Sequence, residues 1–387
     1  MSGSRGRRRG RAARRGVLVA ASVVVAVGTV TGMIKALDDE RGANAARPDA
    51  SGATLLVPLP DVPSTTASTK ASSSASASAK PRKSAVPSPT KTGRKRSAAV
   101  SPSLYRHPES QVLDWVREHP DDPRTEVIES RIADQPAAVW FADFTPSTIT
   151  SRVRAVTSGA AAQGRVPVVV PYAIPDRDCG GASEGGASDF AAYDGWIDDF
   201  AAGLGSSEVV VILEPDSIAQ ADCLSDAQRA DRFEALARAG RVLKAADPKA
   251  RVYYDAGHSD WNPAAQQAAL LKQAGAASAA SSDGVFSNVS NFHATSAEIA
   301  YDRQVLDALG GPADLGAVID TSRNGNGAPA DGQWCDPAGR KIGRAPTLNT
   351  GEARIDGYLW VKLPGESDGC KGAAGTFTAS YAYDLAR

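Results

Sequence analysis

A parallel α/β fold, closed most economically as a barrel, is what the sequence predicts for residues 104–387. Three observations predict it. Apolar runs of strand length alternate with alanine-rich runs of helical spacing over about 280 residues. The strand-like runs are continuously apolar, as in Val209-Val210-Val211-Ile212-Leu213, which marks strands covered on both faces. Five of them end in a short segment that carries an acid, the way a barrel gathers polar groups at one mouth.

The chain before residue 104 is a different object. Residues 1–15 hold seven arginines and no acid, and Gly16–Ile34 follows without a charge. Residues 1–37 therefore read as a signal peptide or an uncleaved anchor, with the anchor preferred because the apolar run is long enough to span a bilayer. The arginines predict a cytoplasmic N-terminus and an exported remainder. Residues 38–103 are Ala, Ser, Thr, Pro and Lys without a Trp, Tyr or Phe, which predicts a disordered linker. Residues 1–103 carry eighteen Lys/Arg against five Asp/Glu, so the chain's net −1 leaves the folded part near −14. An acidic domain repels phosphates, which excludes a nucleic-acid partner and leaves neutral polymers such as glycans.

The candidate strands, in order, are Ala137–Phe144, Val166–Tyr172, Glu208–Asp216, Arg251–His258, Gly284–Asn291, Gly316–Asn324 and Tyr358–Gly365. Between them, stretches such as Ser188–Leu204 and Asp226–Ala246 place apolar residues at helical spacing. The acid-bearing ends are Pro175-Asp176-Arg177-Asp178-Cys179, Glu214-Pro215-Asp216, Asp255-Ala256-Gly257-His258, Asp320-Thr321-Ser322-Arg323-Asn324 and Pro364-Gly365-Glu366-Ser367-Asp368. A single such acid could merely cap the next helix. Five at one mouth point to a shared active site.

The tryptophans suggest its ligand. Trp115, Trp196 and Trp360 sit in amphipathic or strand patterns and read as core. Trp140, Trp261 and Trp334 flank polar motifs instead, and sugars offer flat C–H faces to indole rings. The four histidines lack the spacing of a metal pair, His258 and His293 included, so neither a metal nor a cofactor is expected.

These motifs resemble glycoside hydrolase family 6, the inverting β-1,4-glucanases, over roughly residues 104–387. The resemblance implies a distorted barrel of about seven strands with an open substrate cleft. It implies that Asp216, in Leu-Glu-Pro-Asp, is the general acid, that Asp178 supports its protonation and organises the hydrolytic water, and that Asp368 is the candidate base. It further implies a sugar-distorting Tyr172, stacking by Trp140, Trp261 and Trp334, a cleft-lining Asp255, and substrate contacts from His258, Asn291, Lys362 and Glu366. The physical rationale stands beside it. A neighbouring carboxylate keeps an acid protonated near neutrality, and inversion leaves about 6.5–9.5 Å between acid and base for one water.

Four cysteines permit three pairings and fit an oxidising compartment. The resemblance implies Cys179–Cys223 and Cys335–Cys370. Two departures concern substrate contacts. The segment Gly180–Gly186 reads as a flexible loop containing an acid, and Phe292 stands where an aromatic hydroxyl is usual. An endo-acting glucanase at the cell surface or outside the cell, working as a monomer, is the expected function. Short loops around the cleft disfavour an exo-acting cellobiohydrolase, and the acid–base set disfavours a catalytically inactive glycan binder.

Overall fold

The computed structural model describes residues 103–387. Seven strands, all parallel, follow one another in space as they do in sequence. They are β1 Val139–Phe141, β2 Val168–Pro171, β3 Val209–Leu213, β4 Ala250–Asp255, β5 Gly284–Ser287, β6 Gly316–Asp320 and β7 Ile355–Leu359. The sheet curls towards closure, and β7 is not laddered to β1. The Ala138 amide reaches the Trp360 carbonyl at 2.9 Å and the Trp140 indole N–H reaches the Val361 carbonyl at 2.7 Å. These bonds replace a full ladder at the seam, so the expected distorted α/β barrel is what forms.

The continuous apolar runs serve two cores. On β3, Val209, Val211 and Leu213 pack outward against the helices, while Val210 and Ile212 point into the barrel with Tyr253, Phe286 and Val318. Strand alternation is therefore present but both faces are dry, which is why it was invisible as a polar pattern. Helix Phe190–Ala201 buries Tyr193, Trp196, Ile197 and Phe200, the i, i+3, i+4, i+7 stripe, and is capped by Asp189 accepting from the Ala192 amide at 2.8 Å. Helix Asp226–Ala246 opens on a capping box between Ser225 and Gln228.

Two expectations need correction. The last strand lies at Ile355–Leu359 rather than starting at Tyr358. Asp356 and Gly357 interrupt the apolar pattern there, because Asp356 accepts from the Tyr253 hydroxyl at 2.9 Å inside the barrel. Trp360 thus follows the strand, but it is buried as expected. Strand–helix alternation also fails between β6 and β7. Residues 324–354 form no helix, and glycines and prolines recur through them at Gly325, Gly327, Pro329, Gly332, Pro337, Gly339, Gly343, Pro346 and Gly351. The N-terminal apolar segment and residues 38–102 lie outside the described residues.

Candidate active site

Every strand of the sheet presents its carboxyl end to the same side, and a cleft of about 1190 Å³ opens there. Of the twelve side chains expected to catalyse or bind, eleven line it: Trp140, Tyr172, Asp178, Asp216, His258, Trp261, Asn291, Trp334, Lys362, Glu366 and Asp368. Asp255 does not.

The turn after β3 sets the floor. Glu214 and Asp216 both have left-handed backbones, at φ 48° and 68°. Such residues cost on the order of 1–3 kcal/mol each and need their surroundings to hold them. Glu214 points inward, fully buried, and accepts from the Ala173 and Ile174 amides at 2.9–3.0 Å. Burial pushes its carboxyl up to about 7. Asp216 points the other way, half-buried, into the cleft. Desolvation first, then the charges of Asp255 and Asp178, raise its carboxyl to about 8, against the pull of Lys362. Two adjacent acids of one motif thus divide the work of anchoring and of facing the ligand.

Asp255 lies beneath Asp216 rather than on the cleft wall. It is 2% exposed and accepts from the Ile218, Ala219 and Gly257 amides at 2.8–3.0 Å. Its position at a strand end is the same as that of Asp216, but its side chain turns down and ties the β3 turn to the β4 turn. Gly257, at φ 67°, lets those turns touch; a Cβ there would stand 2.8 Å from the Ala219 methyl.

The β2 end is held by Arg177, whose guanidinium lies 4.6 Å over the Tyr172 ring and donates to the carbonyls of Tyr172, Ala142 and Ser183. Trp140 meets Tyr172 edge-on at 5.2 Å. The Tyr172 hydroxyl is 3.0 Å from Ser183 Oγ, and Ser183 donates to Asp178 Oδ2 from its amide at 2.7 Å and its hydroxyl at 2.9 Å. The Gly180–Gly186 loop is consequently pinned at its centre by Ser183, a residue that sequence reasoning passed over. Burial, then the Asp216 charge, raise the Tyr172 phenol well above its ordinary value, so it stays neutral.

Across the cleft, Asp368 is almost fully buried. Arg323 Nη1 donates to its Oδ2 at 2.7 Å, the Asp336 amide donates to the same oxygen at 3.1 Å, and Lys362 Nζ stands 3.4 Å from its Oδ1. Arg323, itself wholly buried, stacks 4.4 Å over Phe292. Phe292 therefore underlies an arginine and needs no hydroxyl. Glu366 is lifted to about 7 by burial, opposed by Lys362 and Arg323. On the β4 side, His258 stacks on His293 at 4.1 Å and tilts against Trp261 at 5.1 Å. Burial and the neighbouring His293 push His258 down to about 3, which keeps it a neutral hydrogen-bonding group. Trp334 stands at the rim, 60% exposed. Asn291 donates to the Val289 carbonyl at 3.2 Å. Both disulfides form, Cys179–Cys223 and Cys335–Cys370, one beside Asp178 and the other between the Trp334 and Asp368 segments.

A long cleft with carboxyls along its floor and indoles on its walls suits acid–base chemistry on a sugar polymer, which is the work of a glycoside hydrolase. Comparison with known proteins agrees. The family described as "Glycosyl hydrolases family 6" matches residues 95–386. Endoglucanase 1 of Streptomyces sp. (strain KSM-9) is 52% identical over 291 residues, covering 75% of this chain and 79% of that protein. Endoglucanase A of Thermobispora bispora is 47% identical, covering 74% of this chain and 62% of the relative. The endoglucanase Cel6 from Mycobacterium tuberculosis, solved with methyl-cellobiosyl-4-deoxy-4-thio-β-D-cellobioside, superposes with a TM-score of 0.68 at 41% identity, over 74% of this chain and 97% of that one. The chain belongs to glycosyl hydrolase family 6 and is a glycoside hydrolase of the cellulase type.

Proposed function

We propose that the chain cleaves β-1,4-glucan at internal bonds with inversion of the anomeric carbon. The observation that carries this is Asp216. It ends a rigid buried strand, opens into the cleft, and keeps its proton near neutrality because burial and two carboxylates disfavour its charge. As general acid it delivers that proton to the glycosidic oxygen. Asp178 serves twice: its charge holds the proton on Asp216, and its bond to Ser183 orders the neighbourhood of Tyr172, where the hydrolytic water enters. Asp368 is the carboxylate that serves the water. It follows β7, four strands away from the β3 turn, so acid and base stand on separate walls, as inversion requires. Trp140, Trp261 and Trp334 stack sugar rings, and His258, Asn291, Lys362 and Glu366 bind hydroxyls. Asp255 acts from below by fixing the Asp216 turn. The endo mode is supported by the endoglucanase relatives, and Trp334 is exposed at the rim of the cleft.

Two cystines and a glycan ligand support work outside the cytoplasm, with residues 1–37 as an export signal or anchor and 38–103 as a linker. The test is incubation of the enzyme with carboxymethyl-cellulose, following viscosity and reducing ends together, with proton NMR of the first product. A steep viscosity drop and an initial α-anomer are expected. Reducing ends without loss of viscosity would overturn the endo mode, and an initial β-anomer would overturn inversion.

A further inference from the structure

Asp336 faces no part of the cleft and is 4% exposed, yet its side chain takes four hydrogen bonds from the Ser367–Lys371 turn that carries Asp368. Its Oδ1 accepts from the Asp368 amide at 2.8 Å. Its Oδ2 accepts from the Ser367 hydroxyl at 2.5 Å, the Cys370 amide at 3.0 Å and the Lys371 amide at 2.8 Å. In return the Asp336 amide donates to Asp368 Oδ2 at 3.1 Å. The two aspartates are thus joined in a reciprocal pair, backbone of each to carboxylate of the other, across 32 residues of sequence.

The geometry is costly to build. Asp336 sits at φ 47°, a left-handed backbone that a structural filler would not need. Cys335 beside it is bonded to Cys370, whose amide is one of its own donors, so the cystine and the carboxylate clamp the same turn. Burial works against its charge, and the hydroxyl and amide donors outweigh burial to leave the carboxyl below its ordinary value. A charged group held this way is a fixed template on which the Ser367–Lys371 turn is wound.

We propose that Asp336 is a positioning residue for the hydrolytic half of the reaction: it sets the placement of the Asp368 carboxylate while Arg323 and Lys362 supply its counter-charge. This rests on the reading of Asp368 as the carboxylate that serves the water. Four donors converge on Asp336, one of them the Asp368 amide, and the Asp336 amide holds the Asp368 carboxylate directly, so a shift of Asp336 reaches both the backbone and the carboxylate of Asp368. Asparagine at this position would present an N–H₂ to one side of the pair, where an amide N–H now donates. It would break the reciprocity while keeping the volume.

The experiment compares Asp336→Asn, Asp368→Asn, Ser367→Ala and the parent enzyme on soluble cello-oligosaccharide and on a cellotrioside with a dinitrophenyl leaving group. The second substrate barely needs an acid, so it isolates the water side. Asp336→Asn should lose about 10²-fold in kcat, as a displacement near 1 Å does, with KM moved by less than about twofold and both cystines intact. The loss should persist on the dinitrophenyl substrate. Ser367→Ala, which takes the hydroxyl donor from Asp336 together with the oxygen that accepts the Gly369, Lys371 and Gly372 amides, touches no ligand; it should lose kcat by a few-fold with KM unchanged, and it decides the matter if Asp336→Asn does not fold. Parental kcat in Asp336→Asn, or in Ser367→Ala where that variant decides, overturns the inference. So does a loss that only follows the folded fraction, or one that vanishes on the dinitrophenyl substrate. If Asp368→Asn is itself fully active, the role of Asp368 falls and this inference with it; if Asp368→Asn is impaired while Asp336→Asn is not, only this inference falls.

Discussion

Replacing Asp216 with asparagine should damage activity and improve stability at once, and the two effects have one cause. The carboxyl is raised from 3.8 to about 8 by burial and by the charges of Asp255 and Asp178. Across that window the folded protein holds a proton that the unfolded chain has released, so stability falls as pH rises through it and the effect is absent below it. At pH 7 the full linkage would cost about 4 kcal/mol at 1.36 kcal/mol per unit. The carboxyl opens onto a wet cleft rather than a dry core, which brings the expected cost to about 1–2 kcal/mol. Asparagine removes it and keeps the shape. Tm at pH 7 should therefore rise by about 2–6 °C. The gain should shrink towards pH 4, where the unfolded chain's carboxyl begins to take up a proton as well. Over the same substitution, loss of general acid catalysis should lower kcat on unactivated glucan by about 10²–10⁴, or roughly 3–5 kcal/mol of barrier. Differential scanning calorimetry from pH 4 to 8 and initial rates on cello-oligosaccharides test both halves. A Tm at pH 7 equal to or below the parent's would refute the electrostatic account, and a kcat near the parent's would refute the acid assignment.

Other perturbations follow the same logic. Asp178→Asn removes one of the charges that keep Asp216 protonated, so the alkaline limb of the kcat/KM profile should move to lower pH; an unmoved or higher limb would count against the coupling. Arg323→Met leaves the buried Asp368 with only Lys362 as counter-charge and should destabilise by about 3–5 kcal/mol in urea titration, far more than a surface ion pair would. Joint replacement of Cys335 and Cys370 by serine opens a 35-residue loop and should cost about 4 kcal/mol in the chain-entropy account, with a raised KM because Trp334 loses its neighbouring staple; unchanged thermal unfolding would contradict this.

The sequence was most informative where a signal is local. Val209–Asp216 announces a buried strand and its acidic end within eight residues, and the cleft residues beside such ends were legible for that reason. It was misleading where one pattern has two outcomes. Asp255 and Asp216 both terminate apolar runs, and only the rotation of the chain after the strand sends one under the floor and the other into the cleft. It was silent where function depends on distant partners. Arg323 sits 45 residues from Asp368, and a buried arginine has no sequence signature distinct from an exposed one. Asp336 is 32 residues away, and no pattern around it singles it out from other acids. Ser183 lay in a glycine-rich stretch whose composition suggests looseness, while its actual bonds to Tyr172 and Asp178 make it a rivet.

The distribution of backbone strain explains why acids dominate this mouth. Among the described residues, nine that are not glycine have left-handed backbones, and all lie on connections that follow the carboxyl ends of strands, Asp336 and Arg354 on the helix-free one between β6 and β7. Five of those nine are Asp or Asn, namely Asp176, Asp178, Asp216, Asn288 and Asp336. A chain leaving a parallel strand must turn sharply to reach its helix, and a left-handed residue makes the turn in the fewest steps. Glycine adopts that conformation freely but brings no side chain. Aspartate and asparagine tolerate it because a short polar group can bond its own neighbourhood, as Asp178 accepts from the Ser183 amide and Asn288 from the His293 amide. The conformational demand of the fold and the chemical demand for carboxyls at one mouth thus select the same residues. On this argument Asp178→Gly should keep the turn and lose the charge, whereas Asp178→Val should lose the turn as well. Loss of stability in the valine variant well beyond the glycine variant is the expected order, and equal losses would show that the left-handed backbone at Asp178 carries no cost.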